Sequence, residues 1–354
     1  MATSALPAAL SPEHLTDVLR RAGVLDAGRV SHAEAETSRD TLVSRIVRAR
    51  LAYDGASDQA PDRLFLKTAR AGGPLVGVNL GRKEVEFYDR VAGAMPAGLV
   101  PRCFEAAWEP EAKAWHLLLE DLGESHVIVN EWPLPPTVEQ CERIVETYAR
   151  FHGFWWNDAR LGTSIGTFLD VDQFDVFLRE LPERLARFAD RLGDRFSSDR
   201  RRLYERFIAS APRLLARYRT HRDLTVVSGD AHVWNLLYPR EPSSSDVRLI
   251  DWSGWRIDTA TDDLAYMMAL HWYPERRRRL EQPLLDHYHA ALVAHGVRGY
   301  DRAALWEDYR ASVLWQLTTP VWQADHNLTP VIWWSHLERI CLAVDDLGCR
   351  DLLD

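Results

Sequence analysis

Three residues have types and a spacing that could transfer a phosphoryl group: Asp230, Asn235 and Asp251. The first two lie in Val226-Val227-Ser228-Gly229-Asp230-Ala231-His232-Val233-Trp234-Asn235-Leu236-Leu237, where an apolar run delivers an aspartate, four residues intervene, and an asparagine leads into a second apolar pair. Sixteen residues further on, Leu249-Ile250-Asp251 ends another apolar run. An aspartate and an asparagine at this spacing, followed by an aspartate on the next hairpin, form the arrangement that kinase chemistry uses. Phosphoryl transfer needs little covalent help from a protein, so position and charge do the catalysis. Asp230 would accept the proton of an acceptor hydroxyl, while Asn235 and Asp251 would give hard oxygen ligands to Mg²⁺ bridging nucleotide phosphates. The D-x-x-x-x-N spacing alone recurs by chance; the flanking apolar segments and the second aspartate give it weight.

Lysine usage adds a fourth candidate. Of 43 basic residues only Lys67, Lys83 and Lys113 are lysine, so a lysine kept at the end of a β-rich run marks a place where a compact ammonium is needed. His232 lies inside the Asp230 loop and reads as a structural or substrate-edge residue, because Asp230 already holds the base position. Asp263 is expected to tie the metal loop to the helical half rather than to bind metal. Trp252, Trp255, Trp315, Trp322, Trp333 and Trp334 could line a pocket for an acceptor, although aromatics at helical spacing are more often core. No His or Cys cluster has zinc-ligand spacing and no G-x-S-x-G elbow occurs, which removes metalloprotease and hydrolase readings.

These residues need a scaffold, and the texture of the chain supplies two kinds. Ser11 and Pro12 open a short helix over about 12–22 that Gly23 stops. Strand signals follow at 29–36, 41–53, 63–68, 103–108 and 114–119, with one helical stretch at 83–92 where Val85, Tyr88 and Val91 share a face. After Asp121 and Gly123 the pattern turns helical. Thr137 and Gln140 form a capping box, and helices are expected near 171–190, 199–219, 278–295, 302–317 and 331–347. One β-rich island, 225–252, interrupts them and contains a polar loop at 239–246. The expected fold is α+β, a small antiparallel β-rich lobe over 1–120 and a large, mostly helical lobe over 121–354.

Composition bounds the rest. With 354 residues, 46% hydrophobic and 27% charged, the chain is globular. A net charge of −9 argues against sequence-independent nucleic-acid binding, and the Arg276–Arg279 run reads as a solvated helix face. No apolar run of about 18 residues could cross a bilayer, and the apolar start, Met1 to Leu10, lacks the basic segment of a signal peptide. A cytoplasmic protein is expected. Cys103, Cys141, Cys341 and Cys349 form no C-x-x-C pair, so neither a metal knuckle nor a disulfide framework is indicated.

Ser228 through Asn235, and Ile250-Asp251-Trp252 through Asp263-Leu264-Ala265-Tyr266, resemble the signature of the aminoglycoside phosphotransferase and choline kinase superfamily, most of all its ecdysteroid-kinase-like bacterial branch. The resemblance covers roughly residues 12–350. It implies a bilobed, protein-kinase-like fold and an ATP- and Mg²⁺-dependent kinase acting on a hydroxyl of a small molecule: an antibiotic such as an aminoglycoside, an amino alcohol or another metabolite. Lys67 sits where the family's phosphate-binding lysine lies, and Glu84 where its ion-pair partner lies. Leu118-Leu119-Glu120-Asp121-Leu122 resembles the interlobe hinge, which implies adenine contacts from the backbone at Glu120 and Leu122. Two departures stand out: Ser228 replaces a frequent histidine, and the turn expected at Glu36 to Asp40 has no glycine, so phosphates would meet Thr37 and Ser38 instead. A nucleotide-binding pseudokinase or interaction module is the alternative; intact Lys67, Asp230, Asn235 and Asp251 favour turnover. A cationic amine acceptor is slightly favoured by the net acidic charge and the tryptophans, and the oligomeric state is open.

Overall fold

Ser11 caps the first helix, α1 (Pro12–Arg21), its hydroxyl accepting from the His14 amide, and Leu15, Val18 and Leu19 form the buried face. In the computed structural model, which describes residues 8–41, 43–55, 59–70, 80–128, 135–169, 172–241 and 246–354, this face packs on a five-stranded antiparallel sheet. Its strands are β1 (Arg29–Asp40), β2 (Ser44–Asp54), β3 (Arg63–Ala69), β4 (Cys103–Glu109) and β5 (Ala114–Glu120), in the spatial order β1-β2-β3-β5-β4. Alternation sets the two faces. Val47, Ala49, Leu51, Leu64, Leu66 and Leu118 point toward α1 and make the core with it. Lys67 therefore leaves the opposite face, where α2 (Leu80–Glu86) and a π-helical turn at Phe87–Val91 bring Glu84 to it. The helix expected at 83–92 is thus present but changes its winding half-way.

The expected turn at 36–40 is not a turn. β1 continues to Asp40, with Thr37 opposite Arg48 and Ser38 opposite Val47 on β2, and a register shift between Ala35 and Thr37 takes up the extra residue. The chain reverses around Thr41, whose amide donates to the Ser44 carbonyl at 2.7 Å.

The compact units do not follow a single cut at residue 120. One comprises Met1–Ile128 with Leu237–Ser253, the other Val129–Leu236 with Gly254–Asp354. Residues 237–253 join the first unit through β6 (His126–Ile128), which pairs with β8 (Leu236–Pro239), as His126 opposite Pro239 and Ile128 opposite Leu237. The short β9 (Arg248–Leu249) extends that ribbon. Most of the apolar start (1–7) and of the polar loop (242–245) lies outside the described residues.

The second unit is helical. Its helices are α3 (Val138–Trp155), α4 (Asp172–Leu192), α5 (Ser198–Leu215), α6 (Thr261–Ala265), α7 (Pro274–Ala294), α8 (Arg302–Trp315), α9 (Thr318–Asp325) and α10 (Pro330–Asp346). The Thr137–Gln140 capping box forms as expected. Helix α9 was not foreseen: Pro320 falls in its first turn, where a missing amide costs nothing, and the periodic pattern of α8 runs into it. A two-stranded antiparallel ribbon, β7 (Thr225–Val227) with β10 (Arg256–Asp258), carries the Asp230 loop out of this unit's core.

Candidate active site

The Asp230 loop is held by a residue well downstream. Asp263 on α6 accepts from the Ser228 amide at 2.8 Å and from the Gly229 amide at 2.9 Å, and its Oδ2 lies 3.2 Å from Nε2 of His152 on α3. His152 is fixed in turn by Tyr288 at 2.8 Å. Asp263 therefore anchors the loop that carries Asp230, a correction to the expectation that it ties the metal loop. Gly229 is required here. Its φ is +71°, and a Cβ would come within 2.3 Å of the Gly254 carbonyl oxygen. Removing the anchor leaves the buried Ser228 amide, the half-buried Gly229 amide and the buried His152 imidazole without their partner. Asp263→Ala is expected to destabilise the helical unit by about 3 kcal/mol or more, read as a lower urea midpoint, against a smaller loss for His152→Gln.

At the tip of the loop, Asp230 is surrounded by donors. Asn235 Nδ2 donates to the Asp230 backbone carbonyl and to its Oδ2, at 3.0 Å each, and the Tyr266 hydroxyl donates to Oδ1 at 2.5 Å. His232 Nε2 stands 3.5 Å from Oδ2. Burial would raise this carboxyl, but His232 and the Tyr266 hydroxyl outweigh it and hold Asp230 well below the usual aspartate range. Both partners of Asn235 Nδ2 are oxygens, so the nitrogen must face them. The amide oxygen Oδ1, the atom a hard cation would use, is left to point elsewhere.

Around Asp230 lies an aromatic and imidazole wall that the spacing argument did not single out: Trp234, Tyr266, His271 and His336. The His232 and His271 rings are 5.5 Å apart and the His271 and His336 rings 4.6 Å apart. Tyr266 was legible in part, since it follows Asp263 by three residues and shares its helical face. Nδ1 of His271 donates to the Tyr266 carbonyl, and Nδ1 of His336 donates to Gln323 Oε1 at 2.9 Å, so both rings use the tautomer with Nε2 bare. Burial first, then Arg339 and His232, push His336 down to about 4. A histidine whose folded value is depressed binds fewer protons when folded than when unfolded. Stability therefore rises with pH from about 4 to the ordinary histidine value and is lost on acidification. His336→Gln is expected to remove about 2 kcal/mol of this acid sensitivity, measured as the difference in urea unfolding free energy between pH 7 and pH 4.5. An unchanged difference would show that His336 does not control it.

In the β-rich unit, Lys67 is buried between two carboxylates. Its Nζ lies 2.8 Å from Glu84 Oε2 and 3.1 Å from Asp251 Oδ1. Burial opposes the charge on Lys67, yet Asp251 and Glu84 together hold its ammonium above the usual lysine range. Burial also raises Glu84, with Lys67 opposing. The expected Lys67–Glu84 pair is present, and Asp251 joins it. Asp251 has a left-handed backbone, φ +62°, uncommon for a side-chain-bearing residue and concentrated at functional sites. Its Oδ1 accepts from the Ser253 hydroxyl at 3.1 Å, and the next residue, Trp252, stacks on Phe87 with ring centroids 3.8 Å apart.

The remaining expected residues fall as follows. Thr37 and Ser38 are exposed on the paired strand β1 rather than in a turn. Glu120 ends β5, its carboxylate accepting from the Arg102 amide at 2.8 Å, and the Leu122 carbonyl accepts from the His126 amide at 2.8 Å. Asp121 between them is paired with Arg48 at 2.7 Å. Of the six tryptophans considered for a pocket, Trp252, Trp255, Trp315 and Trp333 are buried core residues. Trp315, for example, packs edge-on against Phe207.

Residues 38–297 match the sequence model of the ecdysteroid kinase-like family. The chain belongs to this family. The matched segment includes Ser38, Lys67, Glu84, Glu120, Leu122, Asp230, Asn235 and Asp251, and Thr37 lies one residue before it. No curated protein matches the sequence. Among solved structures, the choline kinase of Cryptosporidium parvum is similar with a TM-score of 0.56 at 11% identity, covering 90% of this chain and 92% of that one. The GDP complex of aminoglycoside 2′-phosphotransferase-IIIa gives 0.52 at 10% identity, over 96% and 99% of the two chains. The ADP-bound aminoglycoside phosphotransferase APH(2″)-Ib gives 0.50 at 12% identity, over 95% and 97%. These likenesses establish the protein-kinase-like fold, and this ecdysteroid kinase-like chain shares it with small-molecule phosphotransferases.

Proposed function

We propose that the chain is a phosphotransferase that uses Mg·ATP to phosphorylate a hydroxyl of a small molecule. The observation that carries this reading is the Asp230 carboxylate, held ionised by directed donors on a loop anchored through Asp263. The two structural relatives with bound nucleoside diphosphates support nucleotide use.

The donor set fits a metal-bound nucleotide. Lys67 is a buried cation on a strand, suited to phosphate oxygens, and Asp251 and Asn235 each offer the hard oxygen type that Mg²⁺ prefers. Backbone groups at Glu120 and Leu122 are the proposed adenine contacts, and Thr37 and Ser38, exposed on the paired strand β1, the proposed phosphate-side hydroxyls. The bound nucleotide supplies one phosphoryl group, whose bond to the leaving diphosphate breaks as a bond to the acceptor oxygen forms.

Asp230 then works in two stages. A carboxylate this acidic takes no proton from a resting alcohol; it orients the hydroxyl by accepting its hydrogen bond. The proton moves to Asp230 only late, when bonding to phosphorus has made the oxygen acidic, as a loose transition state allows. Tyr266 and Asn235 hold the carboxylate in place while this happens.

The acceptor is a small hydroxylated molecule. Four of the six tryptophans that favoured a cationic amine are core residues, and the imidazoles near Asp230 are depressed below the ordinary histidine range at His271 and His336, hence neutral at pH 7. A neutral polyol or alcohol fits this wall at least as well as an ammonium. Nothing in this chemistry calls for a nucleic acid or a membrane, and no described helix is long and apolar enough to cross a membrane; use of Mg·ATP fits a cytoplasmic protein. The test is Mg²⁺-dependent ATP consumption across amino alcohols, aminoglycosides, sugars, macrolides and sterols. Turnover with any of them, abolished by EDTA, supports the reading. Nucleotide binding without turnover on any acceptor would favour a module that has lost catalysis.

A further inference from the structure

On the sheet face opposite Lys67, three side chains from three elements converge. His14 comes from the first turn of α1, Glu105 from β4 and His116 from β5. The register explains the last two. His116 pairs with Ala107 and Glu105 with Leu118, so His116 and Glu105 are diagonal neighbours on one face, and the small Ala107 leaves room for the imidazole between them. Nε2 of His14 lies 2.6 Å, and Nε2 of His116 2.7 Å, from the same carboxylate oxygen, Oε2 of Glu105. One ligand atom from each residue lies within 4.8 Å of the others. The second carboxylate oxygen, Oε1, accepts from Arg21 at 2.9 Å, which turns Oε2 toward the imidazoles.

We propose that His14, Glu105 and His116 form a binding site for a divalent transition-metal cation of the zinc class, separate from the phosphotransfer residues. Two imidazole nitrogens and one carboxylate oxygen are the ligand set of a three-residue zinc site with a fourth position left for water. Bonds of roughly 2.0–2.2 Å in tetrahedral geometry would set the ligand atoms about 3.3 Å apart, so the present 2.6 and 2.7 Å separations need open by well under about 1 Å. Arg21 plays the part of the outer partner that orients a ligating carboxylate. All three side chains are only partly buried, so a cation from solvent can reach them. Imidazole ligands select zinc, nickel, cobalt or copper over magnesium, which sets this site apart from any oxygen-only site for Mg²⁺. A bound cation would clamp α1 to the β4–β5 edge.

The experiment is calorimetric titration of the full chain, stripped by chelator and held in excess Mg²⁺, with Zn²⁺. The wild type should bind one equivalent saturably, and His14→Gln and His116→Gln should each weaken that binding on the order of 100-fold. X-ray absorption of the wild-type zinc complex gives a readout that does not depend on variants folding: it should show two imidazoles with oxygen ligands. No saturable binding by the wild type, binding unchanged in both variants, or sulfur in the coordination shell would each overturn the proposal and leave His14–Glu105–His116 as a hydrogen-bonded network only.

Discussion

Asp230→Asn is expected to lower kcat by about three to four orders of magnitude while nucleotide affinity stays within a few-fold of wild type. The substitution keeps the size and loop position of the side chain and removes only its charge and its ability to take a proton. Asp230 makes its described contacts to Asn235, Tyr266 and His232, and each is a donor aimed at a carboxylate. An amide in its place would accept one of these bonds and present its own NH₂ to the other donor, so the hydroxyl of the acceptor would be neither oriented nor relieved of its proton. Because Gly229 and Ser228 are held by Asp263 rather than by Asp230, the loop should survive and thermal stability should change little. Tyr266→Phe removes one of the three side-chain donors that hold the carboxylate and should cost far less, roughly ten-fold in kcat. Single-turnover rates and fluorescent nucleotide titration separate the two quantities. A variant whose affinity falls in step with its rate, or whose kcat stays within ten-fold of wild type, would remove Asp230 from the role of proton acceptor.

The part of this arrangement that could be read from the sequence is the part that is local. The D-x-x-x-x-N spacing sits between apolar runs that become β7 and β8, and the loop geometry depends on a glycine next to the aspartate, so type and order sufficed. The Lys67–Glu84 pair was reachable through the family resemblance, which implies that Glu84 is the ion-pair partner of Lys67; lysine scarcity pointed to Lys67 alone. What escaped depends on partners distant in the chain. A bulge between Ala35 and Thr37, set by pairing with β2, carries β1 past the point where polar residues read as a turn, and so moves Thr37 and Ser38 onto a strand. Residues 237–253 group with the β-rich unit because β8 pairs with β6 more than a hundred residues earlier, a register that composition does not encode. The tryptophans could not be sorted into core and pocket from spacing, since both use the same helical period; burial decides for Trp252, Trp255, Trp315 and Trp333. His271 near Asp230 is visible only once the π-helical turn Tyr266–Leu270 is known.

Asp251→Asn should show the opposite pattern to Asp230→Asn: a loss of Mg²⁺-dependent nucleotide affinity on the order of 100-fold, with turnover falling because the nucleotide is no longer held. Asparagine is the better probe than alanine here. The backbone at Asp251 is left-handed, a conformation that Asn tolerates and that costs Ala roughly 1 kcal/mol, so alanine would confuse strain with ligand loss. The amide keeps the bond from the Ser253 hydroxyl and the stack of Trp252 on Phe87, and takes away one negative charge. Two consequences follow from that charge. The proposed cation loses its carboxylate, and Lys67 loses one of the two partners that hold its ammonium above the usual lysine range, keeping Glu84 alone. Lys67 should therefore remain charged and buried, and stability should fall only modestly. Nucleotide titrations with Mg²⁺ and with EDTA distinguish the two effects: affinity lost only in the presence of Mg²⁺ places Asp251 on the metal, and affinity lost equally in both assigns it to steering Lys67. Wild-type affinity under both conditions would mean that Asp251 serves only the ion pair and that the metal must find its carboxylate elsewhere.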